Sequence, residues 1–323
     1  QWQVAPLNPE FETYWQLRLA RGPERPFYGH IPPTMNLSHL KTIPVTRAKA
    51  VPALPSIWDW RTQGKVTSVK DQSTCGTCWI FGTLAAMESR VSIIDNQSYD
   101  FSEQNLITAV DPAWVYLSGN RCNGGGNAFT STDTLTKKGT RLESCQPYNT
   151  ATINTEACNE SCPILHRVTD FRLVANSATM TSEIKDALYN YGPVTAAYCQ
   201  ADNHTYAGYI YCWPNCTTPA NHLVCIVGWD DTKPHPAGGG FGAWIVKNSW
   251  GTGFANAGYF YLCYGSANLQ EIGSYHGSAG YVAINPNPGE RLYYWDEAGR
   301  LGSFGYGDTS AWMASVFTAG QAG

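Results

Sequence analysis

An α+β fold of two facing halves is what this sequence predicts, on three observations. Helical patterns come first and strand patterns later, the strand-like runs are short and broken by Gly, Pro and Asn, and 43% hydrophobic residues over 323 positions suffice for a substantial core. Halves of this kind can face each other across a cleft, a favoured place for an active site. Charge is sparse, at 14% of residues with a net −4, so no basic field exists to gather nucleic acid. The longest apolar runs, 222–229 and 243–246, fall well short of the roughly 18 residues a membrane helix needs. No membrane span is expected.

Residues 1–51 read as an N-terminal pro-segment or docked extension. A helical stretch around 9–19 carries Phe11, Trp15 and Leu19 on one stripe, and Pro32 and Pro33 favour an extended backbone beyond it, with 30–40 expected in or beside the cleft. Residues 52–280 form the main domain. Its clearest helix starts at Cys78, where Ile80, Leu84, Met87, Val91 and Ile94 recur at spacings of three and four and predict one buried stripe. A second helix follows Ser102, a good N-cap, to Val110, and a third runs from Thr181 to Tyr191 until Gly192 and Pro193 stop it. Strand-like runs then cover 194–199, 223–229, 243–247 and 259–264. Residues 281–323 turn Gly- and aromatic-rich and read as the start of a further β module, incomplete in this sequence.

Eleven cysteines exceed what a reduced cytosolic enzyme usually carries and point to an oxidising compartment. Asn-x-Ser/Thr sequons at Asn36, Asn96, Asn159, Asn203 and Asn215 fit a secreted or cell-surface glycoprotein. The odd count leaves at least one thiol outside any disulfide, and such a thiol calls for a chemical reason. Cys78 offers one, since a thiol at a helix N-terminus feels the positive end of the macrodipole, which favours the reactive thiolate. Cys75 and Cys78 taken alone could equally be two structural cysteines or a redox pair.

The wider pattern narrows those alternatives. Gln72-Ser-Thr-Cys-Gly-Thr-Cys-Trp79, His222 at the start of a strand-like run 144 residues after Cys78, and Lys247-Asn248-Ser249-Trp250-Gly251 together resemble the papain family of cysteine proteases. The resemblance spans about 52–275 and includes Trp58-Asp-Trp-Arg61, Phe101-Ser-Glu-Gln104, Cys122-Asn-Gly-Gly125 and Gly192-Pro-Val194. It implies a papain-like two-lobed fold, with a helical left lobe, a β-barrel-like right lobe and the active site in the cleft between them. It assigns Cys78 as nucleophile, His222 as acid/base, Asn248 as orienter, Gln72 as oxyanion donor and Trp250 as a shield over the His222–Asn248 bond. It pairs Cys75 with Cys122.

By the same resemblance Gly124, Gly125 and Asn221 contact an extended peptide substrate through the main chain. Asn127, Ala197, Ala220 and Leu223 line the pocket that sets specificity. The implied activity is peptide-bond hydrolysis through a thioester, with polypeptides as substrates, no metal or organic cofactor, and the chain's own N-terminal segment as an inhibitory partner in cis. Three departures stand out: Thr77 where the family has Ser or Ala, Gly82 where Ser is usual, and a 234–240 loop ahead of the Asn248 strand. Cys212, Cys216, His222 and Cys225 have a spacing zinc could use, but His222 is needed elsewhere and disulfides prevail outside the cell.

The ends resemble a bacterial and archaeal branch that carries a C-terminal lectin-like domain, through Ala5-Pro-Leu-Asn-Pro9 and Trp295-Asp-Glu-Ala-Gly299 among others. Glycan binding would need the missing remainder of that module. Two rivals are a silent adhesion scaffold, which would not need the full set Gln72, Cys78, His222 and Asn248, and a transglutaminase, which normally uses an Asp as orienter.

Overall fold

The computed structural model describes residues 3–4, 28–33, 53–111, 120–168, 171–175, 177–178, 180–236, 239–274 and 304–305. The chain divides into two compact units. In one, spanning 1–25, 34–36 and 285–323, β1 (Gln3–Val4) pairs antiparallel with Phe304–Gly305. The helix expected around 9–19, the stretch 34–40 and most of the 281–323 module lie outside the described residues. The other unit, spanning 26–33 and 37–284, holds every predicted site residue.

In this larger unit the chain runs β2 (Ile57–Asp59), α1 (Cys78–Asp95), α2 (Glu103–Ala109), α3 (Arg121–Gly124), α4 (Ala128–Lys138), β3 (Arg172–Ala175), α5 (Thr181–Tyr191), β4 (Val194–Tyr198), β5 (Thr205–Tyr206), β6 (Ile210–Tyr211), β7 (His222–Pro234), β8 (Phe241–Lys247), β9 (Tyr259–Cys263) and β10 (Gln270–Ser274). Helices do precede strands. Ser102 caps α2 through its side chain, accepting from the Asn105 N–H, and α5 has the span its pattern predicts. Against the expectation of one buried stripe, α1 is buried nearly all round from Cys78 to Ser92, while Ile94 is exposed. The reason is placement: α1 packs against β7 on one side and against α2 and α4 on others.

The strands form one sheet in the order β3-β10-β4-β7-β8-β9-β6-β5, with β2 added beside β7. Only the β6–β9 pairing is parallel among the described strands. Among the described residues the end strands β3 and β5 do not pair with each other, so the sheet stays open where a barrel-like closure was expected. Bulges near Ile226 and Ile272 shift the register along it. β7 is longer than its sequence run because the register with β8 carries on from Asp230↔Ala243 to Pro234↔Phe241, drawing the front of the inserted loop into the sheet.

Side-chain alternation along β7 links the two cores. Leu223, Cys225 and Val227 face α1 and join Trp79, Leu84, Met87 and Phe101, whereas Val224, Ile226 and Trp229 face α5 and join Tyr198, Trp244 and Val246. The α1–β7 contact is close enough to account for Gly82. A Cβ there would lie 2.4 Å from Leu223 Cδ2 and 3.3 Å from the Val224 backbone, so a Ser requires the Leu223 side chain to shift. Disulfides join Cys75–Cys122, Cys145–Cys162 and Cys212–Cys263. Cys78, Cys158, Cys199, Cys216 and Cys225 are thiols. The zinc spacing is thus not realised as a ligand set, because Cys212 is bonded to Cys263.

Candidate active site

Cys78 is the first residue of α1 and fully buried. The residue before it, Thr77, occupies the N-cap position without capping; its hydroxyl meets the Tyr148 hydroxyl at 2.9 Å instead. The Thr77 carbonyl takes the Ile80 and Phe81 N–H groups, and the Trp79 N–H is left facing the Cys78 sulfur. Tyr148 also donates to the Gln72 carbonyl at 3.1 Å, tying the 72–77 loop to the helix start. The Leu223 N–H reaches the Cys78 sulfur at 3.3 Å, which puts the thiol one residue from the imidazole of His222.

His222 heads β7 and Asn248 follows the end of β8, and the antiparallel register places them side by side. Their contact is His222 Nε2 to Asn248 Oδ1 at 2.8 Å. The same Oδ1 accepts the Ser249 backbone N–H at 2.8 Å, which can only donate, so this atom is the amide oxygen and Nε2 carries the proton. Nδ1 is left without a hydrogen bond, as a base toward the thiol side must be. Trp250 stacks on the imidazole with centroids 4.7 Å apart and planes 20° apart, covering the His222–Asn248 bond.

Gln72 is held by the neighbouring strand end. Its N–H donates to the Ser249 carbonyl at 2.8 Å, and Ser249 Oγ donates to its Oε1 at 2.6 Å. The amide nitrogen is thereby turned outward as a donor, toward the Cys75 carbonyl at 2.7 Å and the Tyr28 carbonyl at 3.0 Å. Ser249 was not singled out from the sequence; its place beside Asn248 in the motif was the available signal.

Residues 28–33 lie across these groups. The Ile31 N–H donates to the Gly126 carbonyl at 2.8 Å, the Gly126 N–H to the Gly29 carbonyl at 2.9 Å, and the His30 N–H to the Asn221 carbonyl at 3.2 Å. Tyr28 packs against both His222 and Trp250, with ring centroids 5.2 Å apart in each case. Gly29, at φ +120°, sits so close to Gly76 that an added Cβ would lie 2.0 Å from its carbonyl oxygen. Main-chain pairing of the strap thus falls on Gly126. Gly124 closes α3 and Gly125 (φ 70°) is its C-cap, one residue short of the paired position.

Of the other predicted contact residues, Asn221 offers its backbone carbonyl to the strap while its side chain binds the Gln200 main chain at both ends. Ala197 lies opposite Leu223 in the sheet, and Ala220 and Leu223 are fully buried. Asn127 caps α4, its oxygen accepting from the Thr130 N–H, so a local role already engages it.

Burial decides the charge state beneath the strap. Desolvation pushes the Cys78 thiol up to about 12, against the opposing pull of N–H groups from Leu223, Trp79 and His30. Desolvation likewise pushes His222 down to about 3, with the Asn248 hydrogen bond opposing it. Both groups are neutral across the ordinary pH range, and a neutral thiol is a poor nucleophile.

Comparison with known proteins agrees with the architecture. The model for papain family cysteine protease matches residues 54–279. A probable cysteine protease of Arabidopsis thaliana, RD19C, is 31% identical over 230 residues, covering 67% of this chain and 58% of the relative. Cathepsin S of Bos taurus is 31% identical over 228 residues, covering 69% and 64%. The chain therefore spans about three fifths of the length of these curated relatives. Among solved structures, the cysteine protease and lectin-like domains of Cwp84, a surface layer associated protein of Clostridium difficile, superpose with a TM-score of 0.71 at 23% identity, over 92% of this chain and 64% of that one, a likeness of fold alone.

Proposed function

Because this chain belongs to the papain family of cysteine proteases, we propose that it is a secreted cysteine endopeptidase, made as a latent precursor whose own residues 28–33 occupy the active-site cleft. The observation that carries the reading is the assembly of Cys78 at the head of α1, bonded by the Leu223 N–H next to His222, with the His222–Asn248 pair and with a Gln72 amide that donates to the Tyr28 carbonyl of the strap.

The chemistry follows from those positions. The Cys78 thiolate attacks the substrate carbonyl carbon, and the developing oxyanion takes the place now held by the Tyr28 oxygen on Gln72 Nε2. His222, its ring fixed by Asn248, protonates the departing amine and then draws a proton from the water that cleaves the thioester. For that transfer the leaving nitrogen must lie beside His222. The strap instead runs on from Tyr28, whose ring packs on His222 and Trp250, to main-chain pairing with Gly126. The strap presents a carbonyl to the oxyanion donor and fills the place a substrate would take.

Latency has a second source in desolvation, since the covered thiol and imidazole cannot exchange a proton at reasonable cost. Residues 1–51 serve as the inhibitory segment, 52–280 as the peptidase domain and 281–323 as the opening of a lectin-like module. Secretion rests on the three disulfides and on the sequons, of which Asn96, Asn203 and Asn215 are exposed. The test is hydrolysis of a peptidyl coumarin amide by the full chain after incubation at mildly acidic pH with reductant. Activity that appears together with cleavage N-terminal to residue 52, and is absent from Cys78→Ala, is the expected result. Full activity with 28–33 still attached and uncut would overturn the latent-precursor reading.

A further inference from the structure

Away from the cleft, one group of metal-ligating side chains comes together among the described residues: the sulfurs of Cys212 and Cys263 and a ring nitrogen of His235, all within 4.8 Å of one another. The two sulfurs are joined as a buried disulfide, and His235 is half-buried beside it. We propose that these three residues form a zinc site that replaces the Cys212–Cys263 disulfide when a dithiol reduces it, so that this end of the sheet stays clamped in a medium reducing enough to keep Cys78 a thiol. Its existence does not depend on the peptidase reading.

Three separate segments supply the ligands. Cys212 follows β6, whose parallel register sets Tyr211 beside Leu262, and Cys263 comes next at the end of β9. His235 belongs to the 234–240 loop that departs from the papain family, so the third ligand is this chain's own. Its backbone N–H donates to the Gly240 carbonyl at 3.0 Å and its Nε2–H to the Gly242 carbonyl at 2.7 Å. That same Gly242 carbonyl accepts the Tyr264 N–H at 3.0 Å, one residue beyond Cys263, which is how the loop brings its imidazole to a β9 cysteine. With the proton fixed on Nε2, the lone pair is left on Nδ1 for a metal. A ring N–H held by a backbone carbonyl is the usual outer support of a metal-bound histidine.

Donor type and size select the metal. Two thiolates and an imidazole suit Zn²⁺, with water in the fourth position. At Zn–S of about 2.3 Å and Zn–N of about 2.0 Å a tetrahedron sets its ligand atoms about 3.5–3.8 Å apart. Atoms already within 4.8 Å need only small shifts to reach that once the sulfur–sulfur bond opens. In the exchange the dithiol gives up two electrons and closes to a cyclic disulfide, its two protons pass to the Cys212 and Cys263 sulfurs, and Zn²⁺ then displaces those protons to solvent. Reductant reaches the buried bond through the sheet's end, because β5 and β6 have two residues each and β5 is the terminal strand, a kind of edge that opens locally. Ala243, opposite Cys263, lies about 17 Å of extended strand from Asn248, so the metal clamps the fold and takes no part in cleavage.

The test uses the full chain carrying Cys78→Ala, so that no self-cleavage intervenes. It is reduced with dithiothreitol, freed of the reagent under nitrogen, and titrated with Co²⁺ and then with Zn²⁺. One equivalent of Co²⁺ should bind with thiolate-to-cobalt charge transfer and tetrahedral d–d bands, and one equivalent of Zn²⁺ should displace it, while the unreduced chain shows neither. His235→Ala, outside both cores, should weaken the site at least about tenfold, since loss of even an outer support of a ligand costs about 10–100-fold. A second readout needs no further variant: in the reduced, zinc-loaded chain, maleimide labelling and peptide mapping should find Cys212 and Cys263 protected and Cys158 and Cys216 labelled. No binding after reduction, equal binding before and after it, affinity unchanged by His235→Ala, or zinc that protects other cysteines in place of Cys212 and Cys263 would each overturn the site.

Discussion

Replacing Gly29 by Ala should free the active site, and the structure sets the size of the effect. An added methyl would lie 2.0 Å from the Gly76 oxygen and 2.2 Å from its carbon, backbone atoms of the loop that carries Gln72 and Cys78, and the φ of +120° is itself unfavourable for Ala. Neither partner can yield without moving that loop, so the strap must leave. Its departure gives up four main-chain or amide hydrogen bonds, Gln72–Tyr28, His30–Asn221, Ile31–Gly126 and Gly126–Gly29. At a net value of about 1 kcal/mol each the closed state loses about 4 kcal/mol, or roughly three orders of magnitude in the closed-to-open ratio. The assay is the rate at which a neutral epoxide alkylates Cys78 in the intact chain, with the adduct located by peptide mapping. Gly29→Ala should react at least about a hundredfold faster than wild type. Equal rates would mean that the strap does not control access to the sulfur.

Three further outcomes are expected. Gln72→Ala should lower kcat by roughly 10²–10³ with KM little changed, as for loss of one oxyanion donor; an effect confined to KM would contradict that role. The strap should open on acidification, because His222 is held neutral down to about 3 while an uncovered imidazole titrates near its ordinary 6.5. The open state therefore takes up a proton that the closed state refuses. Closed-state stability is intact above about pH 6.5 and falls by roughly 1.4 kcal/mol, or tenfold in opening, for each unit below it until about pH 3. Hydrogen exchange of the 29–31 amides in Cys78→Ala measures this, and protection that is flat between pH 6.5 and 4.5 after correction for intrinsic rates would refute it. Gly82→Ser should lower stability by about 1–3 kcal/mol, since its Cβ presses on Leu223 between α1 and β7; a thermal midpoint equal to wild type would show that the contact yields freely.

The parts of this molecule readable from sequence are those in which local chemistry and position coincide. Ser102 announces α2 because a cap is a local interaction, and Gly192-Pro193 ends α5 for the same reason. Cys78, His222 and Asn248 stand out because each sits at a helix or strand end next to distinctive neighbours. Features set by distant partners were harder to read. The all-round burial of α1 depends on how many elements surround it, which periodicity within the helix does not encode. Whether a run of three glycines pairs through Gly125 or Gly126 depends on the geometry after α3. Two disulfides, Cys145–Cys162 and Cys212–Cys263, join chain segments whose proximity only the fold creates. Gly82 looked like a departure until Leu223 was seen across from it. The proline-marked strap was legible as extended chain, but its contacts with Gln72, Asn221 and Gly126 reach 44 residues or more along the sequence.

The most direct test of the whole account is covalent: the full chain, acidified to release the strap, is treated with an epoxide cysteine-protease inhibitor and the adduct is mapped by mass spectrometry. The account predicts one adduct, on Cys78, absent from Cys78→Ala and formed at least about a hundredfold more slowly in His222→Ala, where no base draws the thiol proton. An adduct on Cys158 or Cys216, or an unchanged rate in His222→Ala, would contradict it.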